Sequence, residues 1–172
     1  MSGVDFLKID VSNLLTDNKL SVDYVEKLTM PSSYNIINNL IEVNVKGEIT
    51  KIKSDFVFDA NIKSTLRFYC NLCLEPVDIK LDFCINELFS DDEVKNEDIE
   101  VWKFTDNILE LDEIVLVNIL LNIPMKIVCS EQCKGLCPVC GKNLNFDECE
   151  CDKNVNDNRF AELFVLMKDK EV

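Results

Sequence analysis

The chain has 172 residues, 47% of them hydrophobic, with nine cysteines, no histidine and a formal charge of −14. That length and apolar content suit one folded domain, or a domain with a small metal-stapled appendage, rather than a disordered polymer. The missing histidine excludes Ser-His-Asp and Cys-His catalysis and any Cys₂His₂ finger, and so acidic a chain is a poor autonomous binder of phosphate backbone.

The first residues, MSGVDFLKIDV, show no basic region followed by an apolar one, so the expected location is the cytoplasm. Residues 1–42 hold short apolar pieces (Val4, Phe6, Leu7, Ile9, Leu14, Leu15) split by polar turns, one near Asp17-Asn18. Short, loosely defined strands that pack on the core are expected there. A central region, 43–128, has a sharper pattern. Val43, Val45, Gly47 and Ile49 alternate with polar residues, and Phe56, Phe58, Ala60, Ile62, Ser64, Leu66 and Phe68 keep a period of two. Val77, Ile79, Leu81, Phe83 and Ile85 repeat the pattern after Pro76. Three such runs predict an antiparallel meander, with Cys70-Asn71-Leu72-Cys73 at a hairpin tip.

The stretch 83–113 follows, carrying eleven acids against Lys95 and Lys103, a net of −9. It reads as a solvated loop or as a landing site for a basic protein. Val101 to Phe104 is expected to add a strand. Asp112 is expected to N-cap a helix that runs to about Asn122, ends before Pro124 and is buried on the sheet, since apolar residues surround most of it. The longest apolar run, Ile114 to Val128, is broken by Asn118, Asn122 and Pro124 and is too short to span a bilayer. Residues 129–172 form a cysteine-rich segment and a last helix, in which Phe160, Leu163, Phe164 and Met167 share one face that either docks on the parent core or meets a partner. The predicted class is therefore α+β: an antiparallel β meander with a buried helix, a zinc-ribbon-like segment and a terminal amphipathic helix, integrated in one domain.

The chemistry lies in the cysteines. Without an export signal a reducing compartment favours thiolates, and CxxC spacing then points to metal. A CxxC turn sets two sulfurs on one side of a tight loop whose N–H groups can face them, two of the four ligands of a tetrahedral site. Cys137-Pro138-Val139-Cys140-Gly141 is such a knuckle, stiffened by Pro138. The preferred grouping is Cys70, Cys73, Cys129 and Cys133 in one site, and Cys137, Cys140, Cys149 and Cys151 in a second. The rival grouping joins Cys129, Cys133, Cys137 and Cys140 and leaves two isolated pairs. Two zinc ions are the expected occupants, with iron–sulfur chemistry an alternative for the same thiols. Since each Zn²⁺(Cys⁻)₄ site adds −2, two filled sites would take the chain to −18. Cys84, on the polar face of its strand, is expected to be an unpaired, partly buried thiol. Dithiol redox exchange is a further reading of CxxC, although that chemistry expects the motif at a helix N-terminus after a strand, and here Pro76 and a new strand follow.

Arg67, Cys70, Cys73, Leu74 and Pro76, a Leu120…Pro124 segment, the string C-x-x-x-C-K-G-L-C-P-x-C-G-x-N-L-N from Cys129 to Asn145, and a closing Cys149-x-Cys151 together resemble the bacterial YceD family. The resemblance spans roughly residues 43–168. It implies a part in the accumulation of large-subunit (23S) ribosomal RNA, with a gene often beside that of a zinc-ribbon ribosomal protein, and no known enzymatic activity. Some members lack the KGLCP knuckle and keep the hairpin CxxC, which implies two separate sites, the carboxy-terminal one more dispensable. The family's last helix often has proline near its start, where this chain has Asp157-Asn158-Arg159-Phe160. The resulting expectation is a non-enzymatic zinc-binding factor of ribosome biogenesis whose partner is a basic ribosomal protein or a large-subunit assembly intermediate, without a membrane or small-molecule substrate. Direct contact with precursor RNA through Lys63, Arg67, Lys126, Lys134 and Lys142 is the second expectation, and a thiol-based redox or metal-buffer protein the third.

Overall fold

The computed structural model describes residues 7–15, 18–31, 34, 36–91 and 101–151. The middle of the acidic stretch, 92–100, and the expected last helix, 157–167, lie outside the described residues. Strand β1 (Lys8–Asp10) and a single 3₁₀ turn (Ser12–Leu15) are followed by four long strands, β2 (Lys19–Thr29), β3 (Leu40–Ile52), β4 (Asp55–Tyr69) and β5 (Pro76–Phe89). Short strands β6 (Val101–Trp102) and β7 (Ile108–Glu110) then lead into helix α1 (Leu111–Leu121). The class is α+β. The principal sheet has the order β2-β3-β4-β5-β6, and β1 pairs with β7 in a separate ladder.

The period-two pattern is the cause of this sheet, because every second side chain of a strand faces the same way. Val43, Val45 and Ile49 of β3, Phe56, Phe58, Ile62, Leu66 and Phe68 of β4, and Leu81, Ile85 and Phe89 of β5 are all buried in one cluster. Leu111, Ile114, Val115 and Ile119 of α1 join that cluster, so the helix covers the apolar face while the opposite face carries charges such as Lys63 and Arg67. Gly47 has a steric reason. A Cβ there would lie 2.1 Å from the Asp59 carbonyl oxygen and 2.6 Å from Ala60 Cα, so no larger residue fits at that crossing of β3 and β4. Glu87 ties the layers, accepting from Trp102 Nε1 at 2.9 Å and from Asn118 Nδ2 at 2.7 Å.

Several expectations change. The amino-terminal region is not made of short strands alone, since β2 is an 11-residue strand paired with β3 along its length. Its outward Val25, 54% exposed, disguises the alternation. The expected strand after the acidic stretch is only Val101–Trp102, and it lies parallel to β5. Asp112 does not cap α1. The N-cap is Glu110, without a side-chain hydrogen bond, and the Asp112 carboxylate instead accepts from the Leu7 N–H at 2.6 Å. Burial, and then Glu26 and Glu110, hold its carboxyl above the usual range, against the lowering effect of that hydrogen bond. No helix among the described residues is long and apolar enough to cross a membrane.

Candidate metal centre

The hairpin joining β4 to β5 closes at Tyr69 opposite Pro76. Between them Cys70 N–H donates to the Glu75 carbonyl at 2.8 Å and Leu74 N–H to the Cys70 carbonyl at 3.0 Å, with Leu74 at φ 61°. This tight turn sets Cys70 and Cys73, both buried, side by side. The chain leaving α1 passes beneath them: Asn71 N–H donates to the Ile127 carbonyl at 2.8 Å. Cys129 and Cys133 are thereby delivered to the hairpin tip.

Cys70, Cys73, Cys129 and Cys133 offer sulfurs that all lie within 4.8 Å of one another, and so do Cys137, Cys140, Cys149 and Cys151. Cys70 Sγ is 3.9 Å from Cys133 Sγ, and Cys73 Sγ is 3.6 Å from Cys129 Sγ. Four sulfurs about 2.3 Å from a common centre form a tetrahedron with edges of about 3.8 Å, whereas a disulfide needs about 2.05 Å. The donor set and spacing thus fit a metal ion, and both clusters could hold one. The rival set of Cys129, Cys133, Cys137 and Cys140 does not occur as a cluster among the described residues. Cys84 is exposed rather than partly buried, on the polar face of β5, with Asn61 Nδ2 3.6 Å from its sulfur.

Electrostatics inside each quartet is uneven. Burial pushes the Cys70 thiol up, but the N–H groups of Leu72, Cys73 and Cys129 outweigh it and bring it from an ordinary 9.0 down to about 6. Two of these approach at 3.5 and 3.4 Å. Cys73 moves the other way, to about 12, through burial and the surrounding sulfurs. In the second quartet the N–H groups of Cys140 and Val139 draw Cys137 down to about 6, while the sulfur of Cys140, burial and neighbouring charge push Cys151 up to about 12. Four close thiols cannot all ionise unless a cation neutralises them, so the thiolate is favoured at Cys70 and Cys133 of the first quartet and at Cys137 of the second, while Cys73, Cys129, Cys149 and Cys151 hold their protons more tightly.

The two clusters are joined by a scaffold that cysteine spacing does not disclose. Leu136 N–H donates to the Leu72 carbonyl at 3.0 Å, and Gly135, at φ 71°, has that oxygen 3.1 Å from where a Cβ would stand. Asn143 Nδ2 reaches Glu75 Oε1 at 3.1 Å. Asn145 Nδ2 donates to Cys133 Sγ at 3.4 Å, and its Oδ1 accepts from the Lys134 N–H at 2.8 Å. The only sequence hint was the N-x-N string after the knuckle. Replacing Asn145 by alanine is expected to lower metal affinity at the first quartet by about 10- to 100-fold, the usual effect of losing a partner that orients a ligand. The second quartet should be unaffected, and a competition titration with a chromophoric chelator measures both.

The five candidate cations divide into two groups. Lys63 pairs with Asp82 at 2.9 Å and Arg67 is bidentate to Asp78 at 2.6 and 2.9 Å, all on the exposed sheet face. Lys126, Lys134 and Lys142 are exposed, and none of them makes an ion pair among the described residues.

Comparison with known proteins adds the family. The model of the large ribosomal RNA subunit accumulation protein YceD matches residues 58–167, a span that includes both cysteine clusters. The uncharacterised protein YlbN of Bacillus subtilis is 32% identical over 136 residues, covering 77% of this chain and 78% of that protein. An uncharacterised protein of Mycobacterium tuberculosis is 31% identical over 103 residues, covering 57% of this chain and 49% of its own length. The chloroplastic large ribosomal RNA subunit accumulation protein YCED homolog 1 of Arabidopsis thaliana is 24% identical over 162 residues, 75% of this chain and 50% of that one. The chain thus spans about half the length of the mycobacterial and plant relatives. No solved structure matches it. With the hairpin cysteines, strand β5, helix α1 and the knuckle all inside the matched span, the chain belongs to the YceD family.

Proposed function

We propose that the protein is a non-enzymatic, cytoplasmic factor of ribosome biogenesis that holds two zinc ions structurally and supports accumulation of large-subunit (23S) ribosomal RNA by contacting a basic ribosomal protein or an assembly intermediate. The family's name supplies the process. The observation that carries the structural role of the metal is that the first quartet fastens the β4–β5 hairpin tip to the chain leaving α1. Zinc suits the all-sulfur, tetrahedral donor set. Burial of Cys70 and Cys73 disfavours thiol exchange, which needs an accessible thiolate.

Contact through protein rather than RNA is favoured by the charge of −14 and by the pairing of Lys63 and Arg67 with acids of β5. Lys126, Lys134 and Lys142 support the second reading, in which the ribbon grips precursor RNA. Lysate sedimentation separates the two. Co-migration with large-subunit precursors, lost as salt rises and indifferent to K126E/K134E/K142E, is the expected result. Abolition by that triple charge reversal would favour the RNA route. Recovery solely in ribosome-free fractions, with normal ribosomal RNA after deletion of the gene, would refute both.

A further inference from the structure

Strand β2 is the outermost of the principal sheet, paired on one side with β3, and among the described residues no strand lies along its other side. The direction of its free groups follows from its two ends. The Asn18 carbonyl accepts from Lys51 N–H at 2.9 Å, and Met30 N–H donates to the Asn39 carbonyl at 2.7 Å. In an antiparallel ladder, residues of one parity bond to one neighbour. The even-numbered residues therefore serve β3, and Lys19, Ser21, Asp23, Val25, Lys27 and Thr29 turn their N–H and C=O groups outward. A free edge of that length is a template for another strand.

The side chains indicate which strand. Two copies of β2 pairing antiparallel must set odd residues against odd ones, which leaves few registers. Centring on Asp23 opposes it to itself and Lys19 to Lys27. Centring on Lys27 opposes lysine to lysine, and centring on Glu26 opposes two carboxylates. Centring on Tyr24 leaves both charges unmatched. Centring on Val25 sets Asp23 against Lys27 of the second copy twice over, Ser21 against Thr29, and on the inner face Val22 against Leu28. It also covers Val25, the one apolar residue among the outward-facing positions of β2, 54% exposed as the chain stands alone. Lys27 makes no ion pair among the described residues, while Asp23 already has Lys46 at 3.2 Å on β3. Opposite charges directly across a ladder stabilise it and like charges destabilise it.

We propose that two copies of this chain associate antiparallel through their β2 edges, about a two-fold axis at Val25, joining their principal sheets into one. The interface is isologous, so each substitution acts twice.

Sedimentation equilibrium of the full, metal-replete chain at micromolar concentrations tests it, with circular dichroism to show that each variant is folded. The wild type is expected at the mass of two chains. Val25→Pro removes only an outward N–H, which an edge strand tolerates, and should give the mass of one. Asp23→Lys and Lys27→Asp should each raise the dimer dissociation constant about tenfold or more, and the double swap should restore it. A wild type that is monomeric throughout, or a dimer indifferent to Val25→Pro and to the charge reversals, would overturn the proposal.

Discussion

Replacing Cys73 by serine is expected to abolish metal binding at the first quartet and destabilise the whole domain, whereas replacing Cys140 by serine is expected to abolish it at the second and leave the principal sheet intact. The reason is the separation of the ligands along the chain. The first quartet joins sulfurs 56 and 63 positions apart and clamps the hairpin tip to the segment after α1. The second is held within 137–151. Closing a long loop removes more unfolded-state entropy than closing a short one, and metal binding that requires the folded arrangement is itself folding free energy. A loss of about 3 kcal/mol or more is therefore expected for Cys73→Ser, by analogy with a cross-link over so long a loop. Metal stoichiometry by elemental analysis together with urea midpoints checks this. Equal loss of stability for the two variants, or an unchanged midpoint for Cys73→Ser, would contradict it.

What the amino-acid order discloses depends on how local each determinant is. Strand β4 was legible because Phe56 to Phe68 alternate without interruption and one face is buried throughout. Strand β2 was not, because Val25 sits on the exposed face where alternation calls for a polar residue. Asp112 has the appearance of a cap, since a carboxylate before an apolar run is the usual signal. Its actual partner, Leu7 N–H, is 105 positions away and arrives only because β1 pairs with β7. The thiols at 137, 140, 149 and 151 are near neighbours in sequence, while the meeting of 70 and 73 with 129 and 133 depends on the path of α1 across the sheet. Asn145 stood in the string after the knuckle without a role, and Glu75 gave no sign at all, because an amide or carboxylate in a loop carries no signature of its contact until its partner is placed.

Acidification is expected to release metal from both quartets, with the proton count per ion rising as pH falls below about 6. Cys70 and Cys137 have their folded-state pKa values depressed to about 6 from 9.0. The stability contributed by their thiolates is thus present above pH 9 and lost as pH falls through 6. Cys73 and Cys151, raised to about 12, act in the opposite sense: their contribution is present below pH 9 and lost as pH rises toward 12. Without metal the two effects oppose one another and place the stability maximum near pH 9. Metal binding requires all four thiolates, so between pH 6 and 9 an ion must displace the protons held on Cys73 and Cys129 in the first quartet and on Cys149 and Cys151 in the second, all of them raised above the ordinary thiol value, and affinity rises about tenfold per pH unit for each proton displaced. Below pH 6 the anchoring thiolates of Cys70 and Cys137 are protonated as well, which adds one more proton per site and steepens the loss. Metal titrations in weak buffer, with released protons counted by an indicator dye, measure this slope. Because Asn145 lowers the pKa of Cys133 through its hydrogen bond, Asn145→Ala should move the release midpoint of the first quartet alone to higher pH. Metal retained undiminished to pH 4, or affinity that falls between pH 6 and 9, would mean that the sulfurs do not bind as deprotonated quartets.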